Sequence, residues 1–269
     1  MTPKILPSKA PVSVIIPCYR SALTIERALN SVLQQSLTPA EIILVDDASN
    51  DGSLDVLRNF QKMYPLANIL VESMSQNGGP GEARNRGWDL ASQPWLAFLD
   101  ADDAWHLDKL QIQWGWIENH SDAQLVGHLH HEQYAEIKEV TSPNEGVGSV
   151  ISFWQMLLAN RFYTRTVMLR KNLPFRFQNR NYTEDYLLWL EIILAGYPAY
   201  VIDQDLAMSF RPEFSLGGYS GQLWTHEKRE LRAWIFLYKA KKISLFILLI
   251  ALPWSYLKYL RRLLKALKL

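Results

Sequence analysis

The first hundred residues alternate short, largely apolar runs with segments of helical spacing. The apolar runs are residues 12–16, 42–45, 68–72 and 95–99, and the helical segments between them are residues 23–35, 53–64 and 81–91. Strands that are apolar on both faces and alternate with amphipathic helices are typical of a parallel sheet covered on both sides. The sequence therefore predicts an α/β fold with a mostly parallel central sheet flanked by helices.

Three of these predicted strands end in residues that carry chemistry. Residues 17–19 (PCY) follow the first strand, two aspartates at 46–47 follow the second, and residues 100–103 (DADD) follow the fourth. In open α/β sheets, ligands bind beyond the carboxyl ends of the strands. We therefore expect these three segments to line one cleft.

The remainder of the chain has a weaker pattern. We predict helices at residues 151–159, 185–195 and 222–242, and strands at residues 125–134, 164–169, 199–202 and 206–210. We divide the chain into an α/β domain, residues 1–221, and a helical, basic C-terminal segment, residues 222–269.

Charge is distributed unevenly along the chain. Residues 231–269 hold nine Lys and Arg and no Asp or Glu, which leaves 19 basic and 27 acidic residues in the preceding part. An acidic body argues against nucleic-acid binding, which needs a basic face. Cys18 is the one cysteine, so an internal disulfide is excluded, and the first eleven residues lack the apolar core of a secretion signal. We expect a cytoplasmic protein.

Asp100, Asp102 and Asp103 form the sharpest motif of the sequence. Carboxylates at the end of a buried strand can hold a divalent cation, Mn²⁺ or Mg²⁺, that neutralises a nucleotide diphosphate and stabilises it as a leaving group. The alternative is a loop of helix-capping aspartates, since Asp is common at N-caps. These aspartates follow a strand, and the ends of two neighbouring predicted strands are expected to lie beside them. This position favours the metal site.

Two further segments suit a nucleotide. The carboxylate of Asp47 can accept a hydrogen bond from the imide N–H of a uracil ring, and Tyr19 can stack on that ring. The glycine-rich residues 77–81 precede a helix that carries Arg84, and a helix N-terminus favours anions. For both segments the alternative is an ordinary turn, since Asp, Asn and Gly are common turn residues.

Glu184 and Asp185 stand at the start of a predicted helix. As catalytic groups, one of them would deprotonate an acceptor hydroxyl. As structural groups, they would only be partners of the helix dipole. The residues by themselves leave this choice open.

Four motifs in a fixed order identify a family. They are residues 12–19 (VSVIIPCY), 43–52 (ILVDDASNDG), 81–87 (GEARNRG) and 98–103 (FLDADD). In order and spacing they resemble glycosyltransferase family 2, whose members have the GT-A fold, a Rossmann-like α/β architecture. The resemblance is close over residues 12–105 and continues more loosely to residue 215.

The resemblance implies an inverting transferase, which moves a sugar from a nucleotide-diphosphate donor to an acceptor hydroxyl in one displacement. The donor is expected to be UDP-linked, with GDP- and dTDP-linked sugars as the alternatives. It implies that Pro17 and Tyr19 border the nucleobase, that Asp47 binds the nucleobase and that Arg84 helps to hold the donor.

The same resemblance assigns the acidic residues. Asp100 and Asp102 match the family's D-x-D motif, with Asp102 the expected metal ligand and Asp103 its neighbour at the metal. Asp185 matches the second acid of an E-D pair, the expected general base. The chain departs from many relatives at residues 211–215 (RPEFS), where Glu213 stands in place of a histidine. We therefore expect this part of the site to be arranged differently from the family's.

The C-terminal segment has its own pattern. An apolar run at residues 243–252 is cut by Pro253 and is too short to span a membrane. Beyond it, leucines and basic residues fall on opposite faces of a predicted amphipathic helix, which is typical of a helix lying in a membrane interface. We expect peripheral association with the cytoplasmic face of a membrane and a glycan or lipid-linked acceptor. A helix that docks on the protein or on another copy is the alternative.

Two other functions compete with a transferase. A nucleotidyltransferase would need a glycine-rich basic loop after the first strand, and residues 17–20 (PCYR) do not form one. A non-catalytic, membrane-tethered nucleotide-sugar-binding protein would not need Asp102 and Asp185, and both are present.

Overall fold

The computed structural model describes residues 9–132, 147–210 and 222–266, with residues 131 and 132 described by their backbone only. The strands are β1 (Ala10–Cys18), β2 (Pro39–Asp46), β3 (Ile69–Ser73), β4 (Trp95–Phe98), β5 (Ala104–Trp105), β6 (Leu125–Glu132), β7 (Gly148–Val150), β8 (Met168–Arg170) and β9 (Ala199–Ser209). The helices are α1 (Ile25–Leu33), α2 (Ser53–Met63), α3 (Pro80–Leu90), α4 (Lys109–Asn119), α5 (Phe153–Leu158), α6 (Glu184–Leu194), α7 (Leu223–Lys239) and α8 (Leu245–Ala266).

One sheet runs through the described residues in the order β3-β2-β1-β4-β8-β6-β9-β5, and β7 pairs with β9. The first four strands of that order pair in parallel, as the sequence predicts. Beyond β4 the pairing is mixed, because β8 runs antiparallel to both of its neighbours while β6 and β9 are parallel. The α/β fold is confirmed, with its parallel part confined mainly to the N-terminal half.

Strand β1 shows why the predicted strands are apolar throughout. Successive side chains of a strand point to opposite faces of the sheet. Val14 and Ile16 pack into the core beneath α1, α2 and α4, whereas Ile15 packs into the second core with residues of α3 and α6. Because helices cover both faces, nearly every position of the strand is apolar, and the polar exception, Ser13, is buried and donates to the Glu41 carboxylate of β2 at 2.5 Å.

Two segments that the sequence predicts as strands in the middle of the chain have a different structure. The strand predicted at residues 164–169 is a short 3₁₀ turn, Thr164–Thr166, followed by the three-residue β8. The turn forms because the Tyr163 carbonyl accepts both the backbone N–H and the hydroxyl of Thr166, each at 2.8 Å. The two strands predicted at residues 199–202 and 206–210 are one long strand, β9.

Helices α7 and α8 pack against each other and share the core of the α/β part. Trp234, Leu237, Leu248 and Ala251 are buried in the same apolar core as α6. Helix α8 continues through Pro253, where the sequence predicts a break. Buried residues on both sides of the proline, including Ser255, hold the two halves of the helix in place. Among the described residues no helix is long and apolar enough to cross a bilayer.

Buried ion pairs fix α8 on α7. The Arg262 guanidinium donates to Glu227 at 2.9 Å, and the Lys258 ammonium donates to Glu230 at 2.6 Å. Both glutamates are buried, with Glu227 fully so. Two of the basic residues predicted to face a membrane therefore face the protein, because buried carboxylates require cationic partners.

Candidate active site

The carboxyl ends of β1, β2 and β4 lie side by side, as expected from the sequence. Cys18 is in register with Asp46, and the backbone N–H of Leu99 bonds to the Ile15 carbonyl at 3.1 Å. Side chains from α1 tie the loops together, because Arg27 donates to the backbone carbonyl of Asp102 at 2.6 Å. The aspartates at residues 46–47 and 100–103 thus lie at the same edge of the sheet.

The residues predicted to border the nucleobase lie at the end of β1. Tyr19 is exposed over about half of its surface (47%), and Pro17 is partly buried. The following residue, Arg20, bonds through its backbone N–H to the Ser49 hydroxyl at 3.0 Å. This contact holds the loops after β1 and β2 together. An exposed tyrosine ring beside the cleft is available for stacking.

Asp47 is buried, and its carboxylate binds the glycine-rich loop. It accepts the backbone N–H groups of Gly78 and Gly79 at 2.7 and 2.8 Å, and the Asn77 amide at 2.9 Å. Gly79 has a φ of 92°, a conformation that favours glycine. The carboxylate therefore shapes the loop that leads into α3. Its predicted contact with a nucleobase stays a prediction and would use a remaining lone pair.

Arg84 joins two acidic segments. Its Nη2 donates to Asp100 Oδ1 at 2.6 Å, and its Nη1 lies 3.9 Å from Glu184 Oε1. The guanidinium is buried and lies 5.4 Å from the centre of the Phe177 ring. Burial opposes its charge, but Asp100 and Glu184 outweigh burial and raise the pKa of Arg84. The structure shows that Arg84 holds the Asp100 carboxylate, whereas its predicted contact with the donor stays a prediction.

The two remaining acids of the loop occupy different environments. Asp103 is buried, and its carboxylate accepts Arg165 Nη1 at 3.1 Å. Burial, together with the neighbouring carboxylates of Asp100 and Asp102, raises the pKa of Asp103 to about 7 despite Arg165. Asp102 remains partly exposed at the end of the strand.

These environments bear on the predicted cation. No group of three or more His, Cys, Asp or Glu side chains arranged to hold a metal occurs among residues 9–130, 147–210 and 222–266. A Mg²⁺-type cation bound with a diphosphate takes only one or two protein carboxylates and completes its shell with phosphate oxygens and water. Asp102 fits that role. Asp103, the other predicted ligand, is ion-paired with Arg165, and its contact with a metal stays a prediction.

The two carboxylates at the start of α6, those of Glu184 and Asp185, have different neighbours. Glu184 lies near Arg84, and burial followed by the charge of Asp185 raises the pKa of Glu184. Asp185 is partly exposed, accepts its neighbour's backbone N–H at 2.7 Å, and lies 3.5 Å from the Thr164 hydroxyl. It lines a cavity of about 550 Å³. Such a carboxylate can take a proton from a molecule in the cavity.

Sequence reasoning missed the far wall of this cavity. That wall belongs to α7 and α8 and includes Glu230, Lys258, Arg261, Arg262 and Lys265. The periodicity of basic residues in α8 is visible in the sequence. The sequence-based prediction places these basic residues on a membrane-facing side of the helix, because helical spacing does not determine which side packs against the protein. Arg165 and Arg27 were missed as well, since neither belongs to a motif.

The sequence model described as Glycosyl transferase family 2 matches residues 13–181, which is more than half of the chain. The chain belongs to glycosyltransferase family 2. This family 2 transferase is 30% identical over 201 residues to the putative teichuronic acid biosynthesis glycosyltransferase TuaG of Bacillus subtilis, covering 73% of this chain and 77% of the relative.

Two other proteins are informative. The chain is 30% identical over 190 residues to WfaP of Escherichia coli, named as a UDP-Glc:α-D-GlcNAc-diphosphoundecaprenol β-1,3-glucosyltransferase, covering 70% of this chain and 72% of WfaP. The crystallised mannosyltransferase PcManGT from Pyrobaculum calidifontis, in complex with GDP-Man and Mn²⁺, superposes with a TM-score of 0.66 at 17% identity. That superposition covers 97% of this chain and 76% of PcManGT and supports the GT-A fold.

Proposed function

We propose that this protein is an inverting, metal-assisted glycosyltransferase that moves a sugar from a UDP-sugar to an acceptor hydroxyl during the synthesis of a cell-surface polysaccharide or glycolipid. One observation carries the proposal: Arg84 connects the strand-end acid Asp100 to Glu184, and the next residue, Asp185, lines an open cavity. Arg84 thus links the strand-end acid to the start of the helix that carries the proposed base.

The proposed reaction uses Asp185 as the general base. Its carboxylate removes the proton of the acceptor hydroxyl while that oxygen attacks the anomeric carbon of the donor sugar. The bond between the anomeric carbon and the phosphate oxygen breaks, the nucleoside diphosphate leaves with the electron pair, and the configuration inverts. The proton remains on Asp185 until solvent removes it. The Thr164 hydroxyl and the Tyr186 backbone N–H hold the carboxylate in place.

Asp102 is the proposed protein ligand of the divalent metal ion. Asp100 supports the same loop through its ion pair with Arg84. When bound, the cation stabilises the negative charge that develops on the departing diphosphate. Carboxylate–phosphate sites accept both Mn²⁺ and Mg²⁺. The Mn²⁺ named in the PcManGT complex and the UDP-linked donor named for WfaP support these assignments.

We also propose a peripheral position at the cytoplasmic face of a membrane. The outer face of α8 exposes Phe246, Leu249, Leu257 and Leu264, each to more than half of its surface. Arg261 and Lys265 are exposed on the same helix. Apolar side chains flanked by cations suit an interface with anionic lipid. A lipid-linked acceptor, such as the one named for WfaP, would be presented at that surface.

Calorimetric titration of UDP tests the proposed function. We expect wild-type protein to bind UDP with Mn²⁺ and to bind it far more weakly with EDTA, and Asp102→Asn to lose the metal-dependent part. Asp89→Asn is the control, since Asp89 is an exposed acid on α3. Binding of UDP without release of UDP from any UDP-sugar in the presence of an acceptor panel would favour a non-catalytic binding protein. Absence of UDP binding by folded protein would refute the UDP assignment.

A further inference from the structure

A cavity of about 550 Å³ lies between the N-terminal end of α6 and the paired helices α7 and α8. Asp185 lies in one wall, and α8 forms the opposite wall. None of the donor-side residues Tyr19, Asp47, Arg84 and Asp102 lines it. The cavity is therefore distinct from the predicted nucleotide site and contains the proposed catalytic base.

Four cations of α8 line this cavity, and they differ in their partners. Lys258 and Arg262 are ion-paired with the buried glutamates of α7. Arg261 and Lys265 are exposed and have no ion pair among the residues that the structure describes. They are four positions apart on one helix, so they lie on the same face. Two uncompensated positive charges thus point toward the cavity that contains Asp185.

We propose that this cavity is the acceptor subsite and that Arg261 and Lys265 bind a phosphate or diphosphate ester carried by the acceptor sugar. This inference rests on the proposed function. A neutral sugar would have no use for two unpaired cations, whereas an arginine fork and a lysine ammonium both match phosphate oxygens. The volume lies within the range of small-molecule sites.

The geometry also explains how such an acceptor would be oriented. With its phosphate held at α8, the sugar is directed across the cavity toward Asp185, which receives the proton of the attacking hydroxyl. The exposed leucines at positions 257, 260 and 264 lie along the same stretch of α8. A lipid attached to the phosphate would leave the site along that helix, whereas a water-soluble phosphate ester would need only the cations.

The test is a calorimetric titration of the full chain with farnesyl diphosphate in EDTA, so that no metal-dependent donor site contributes. The test variant is Arg261→Gln/Lys265→Gln. The matched control is Arg58→Gln/Lys62→Gln, which removes one Arg and one Lys with the same four-residue spacing from the exposed face of α2. We expect wild type and control to bind alike and the test variant to bind about 10- to 100-fold more weakly.

Two further titrations separate the outcomes. Inorganic pyrophosphate in EDTA separates the contribution of the phosphate from that of the lipid. If the test variant loses as much affinity for pyrophosphate as for farnesyl diphosphate, the cations bind the phosphate. If only farnesyl diphosphate binds, α8 makes an additional contact with the lipid. UDP with Mn²⁺ reports the donor site independently. If UDP binds but wild type binds neither phosphate probe, or if the test variant binds both as tightly as wild type, the acceptor inference is wrong while the proposed transferase stands.

Discussion

The guanidinium of Arg84 donates to the Asp100 carboxylate at 2.6 Å from a position that is almost completely buried. The same guanidinium faces Glu184 across 3.9 Å. A cation on α3 therefore holds the acid at the end of β4 and the first acid of α6 in a common arrangement. Opposite charges in a buried position resist separation, because each would otherwise be left without a partner.

Arg84→Gln should therefore destabilise the protein by about 2–3 kcal/mol, because it leaves a partly buried carboxylate unpaired. It should also weaken UDP binding, since Asp100 loses the group that positions it. Arg86→Gln, two residues along the same helix, breaks the more exposed pair with Glu72 and should cost at most about 1 kcal/mol. Urea unfolding and UDP titration measure both effects. Equal behaviour of the two variants would contradict the role given to Arg84.

Asp185→Asn should lower kcat by about 10²- to 10⁴-fold, because the amide cannot accept the acceptor proton. UDP affinity should stay at the wild-type level, since Asp185 lies on the cavity side of α6. Asp55→Asn is the control, because Asp55 is likewise an acid in the first turn of a helix, here α2, but is exposed. A comparable loss of kcat in the control, or retention of activity by Asp185→Asn, would reject the general-base assignment.

Asp47→Ala should destabilise the glycine-rich loop. It removes the acceptor of three hydrogen bonds from residues 77–79, at a cost of about 1.5–3 kcal/mol. Amide hydrogen exchange at Gly78 and Gly79 should become faster, and UDP binding should weaken. Asp203→Asn changes an exposed acid of β9 and should leave both measurements unchanged. Unaltered exchange in Asp47→Ala would show that the loop does not depend on this carboxylate.

Phe246→Ser/Leu249→Ser should reduce binding to vesicles that contain phosphatidylglycerol. Both side chains are mostly exposed, and each would contribute about 1.5–3 kcal/mol if it were buried in lipid. Met63→Ser/Leu66→Ser removes equally exposed apolar side chains outside α8 and should bind vesicles like wild type. Co-sedimentation measures the bound fraction. The membrane proposal fails if wild type does not sediment with these vesicles or if the α8 variant sediments as well as wild type.

Lys109→Met should stabilise the protein by about 1 kcal/mol at neutral pH, because the buried Lys109 amine has no hydrogen-bond partner among the described residues. The amine lies 3.8 Å from the centre of the Trp105 ring, and burial lowers the pKa of Lys109 well below its ordinary value. Between that lowered pKa and about 10.4, the unfolded chain binds a proton that the folded chain does not.

Wild-type stability should therefore rise with pH through that window, relative to Lys109→Met. Urea unfolding at about pH 7 and 9.5 should show wild type gaining stability relative to Lys109→Met, by up to about 1.4 kcal/mol per pH unit, so that the order of the two proteins reverses as the pH rises. Lys62→Met, at an exposed position of α2, should differ little from wild type at both pH values. A difference that is independent of pH would mean that Lys109 titrates normally in the folded protein.

The sequence predicted those parts of the fold that depend on local pattern. Apolar runs located β1, β2 and β4, because strands buried on both faces of a sheet leave few polar positions. The acids that follow these strands were placed at one cleft by the rule for carboxyl ends of parallel strands. Short strands such as β8 were mispredicted, because three residues carry too little periodicity to outweigh a local turn.

The tertiary structure decided which charged groups meet. Arg84 and Glu184 are 100 positions apart, and Glu227 and Arg262 are 35 apart on different helices, so no periodicity within one element reports either contact. Helical spacing determined that α8 has a basic face. Only packing decided that Lys258 and Arg262 of that face pair with buried glutamates while Arg261 and Lys265 remain beside the cavity. The physical reason is that a buried charged group needs a partner of opposite charge, and which groups are buried depends on how the whole chain packs.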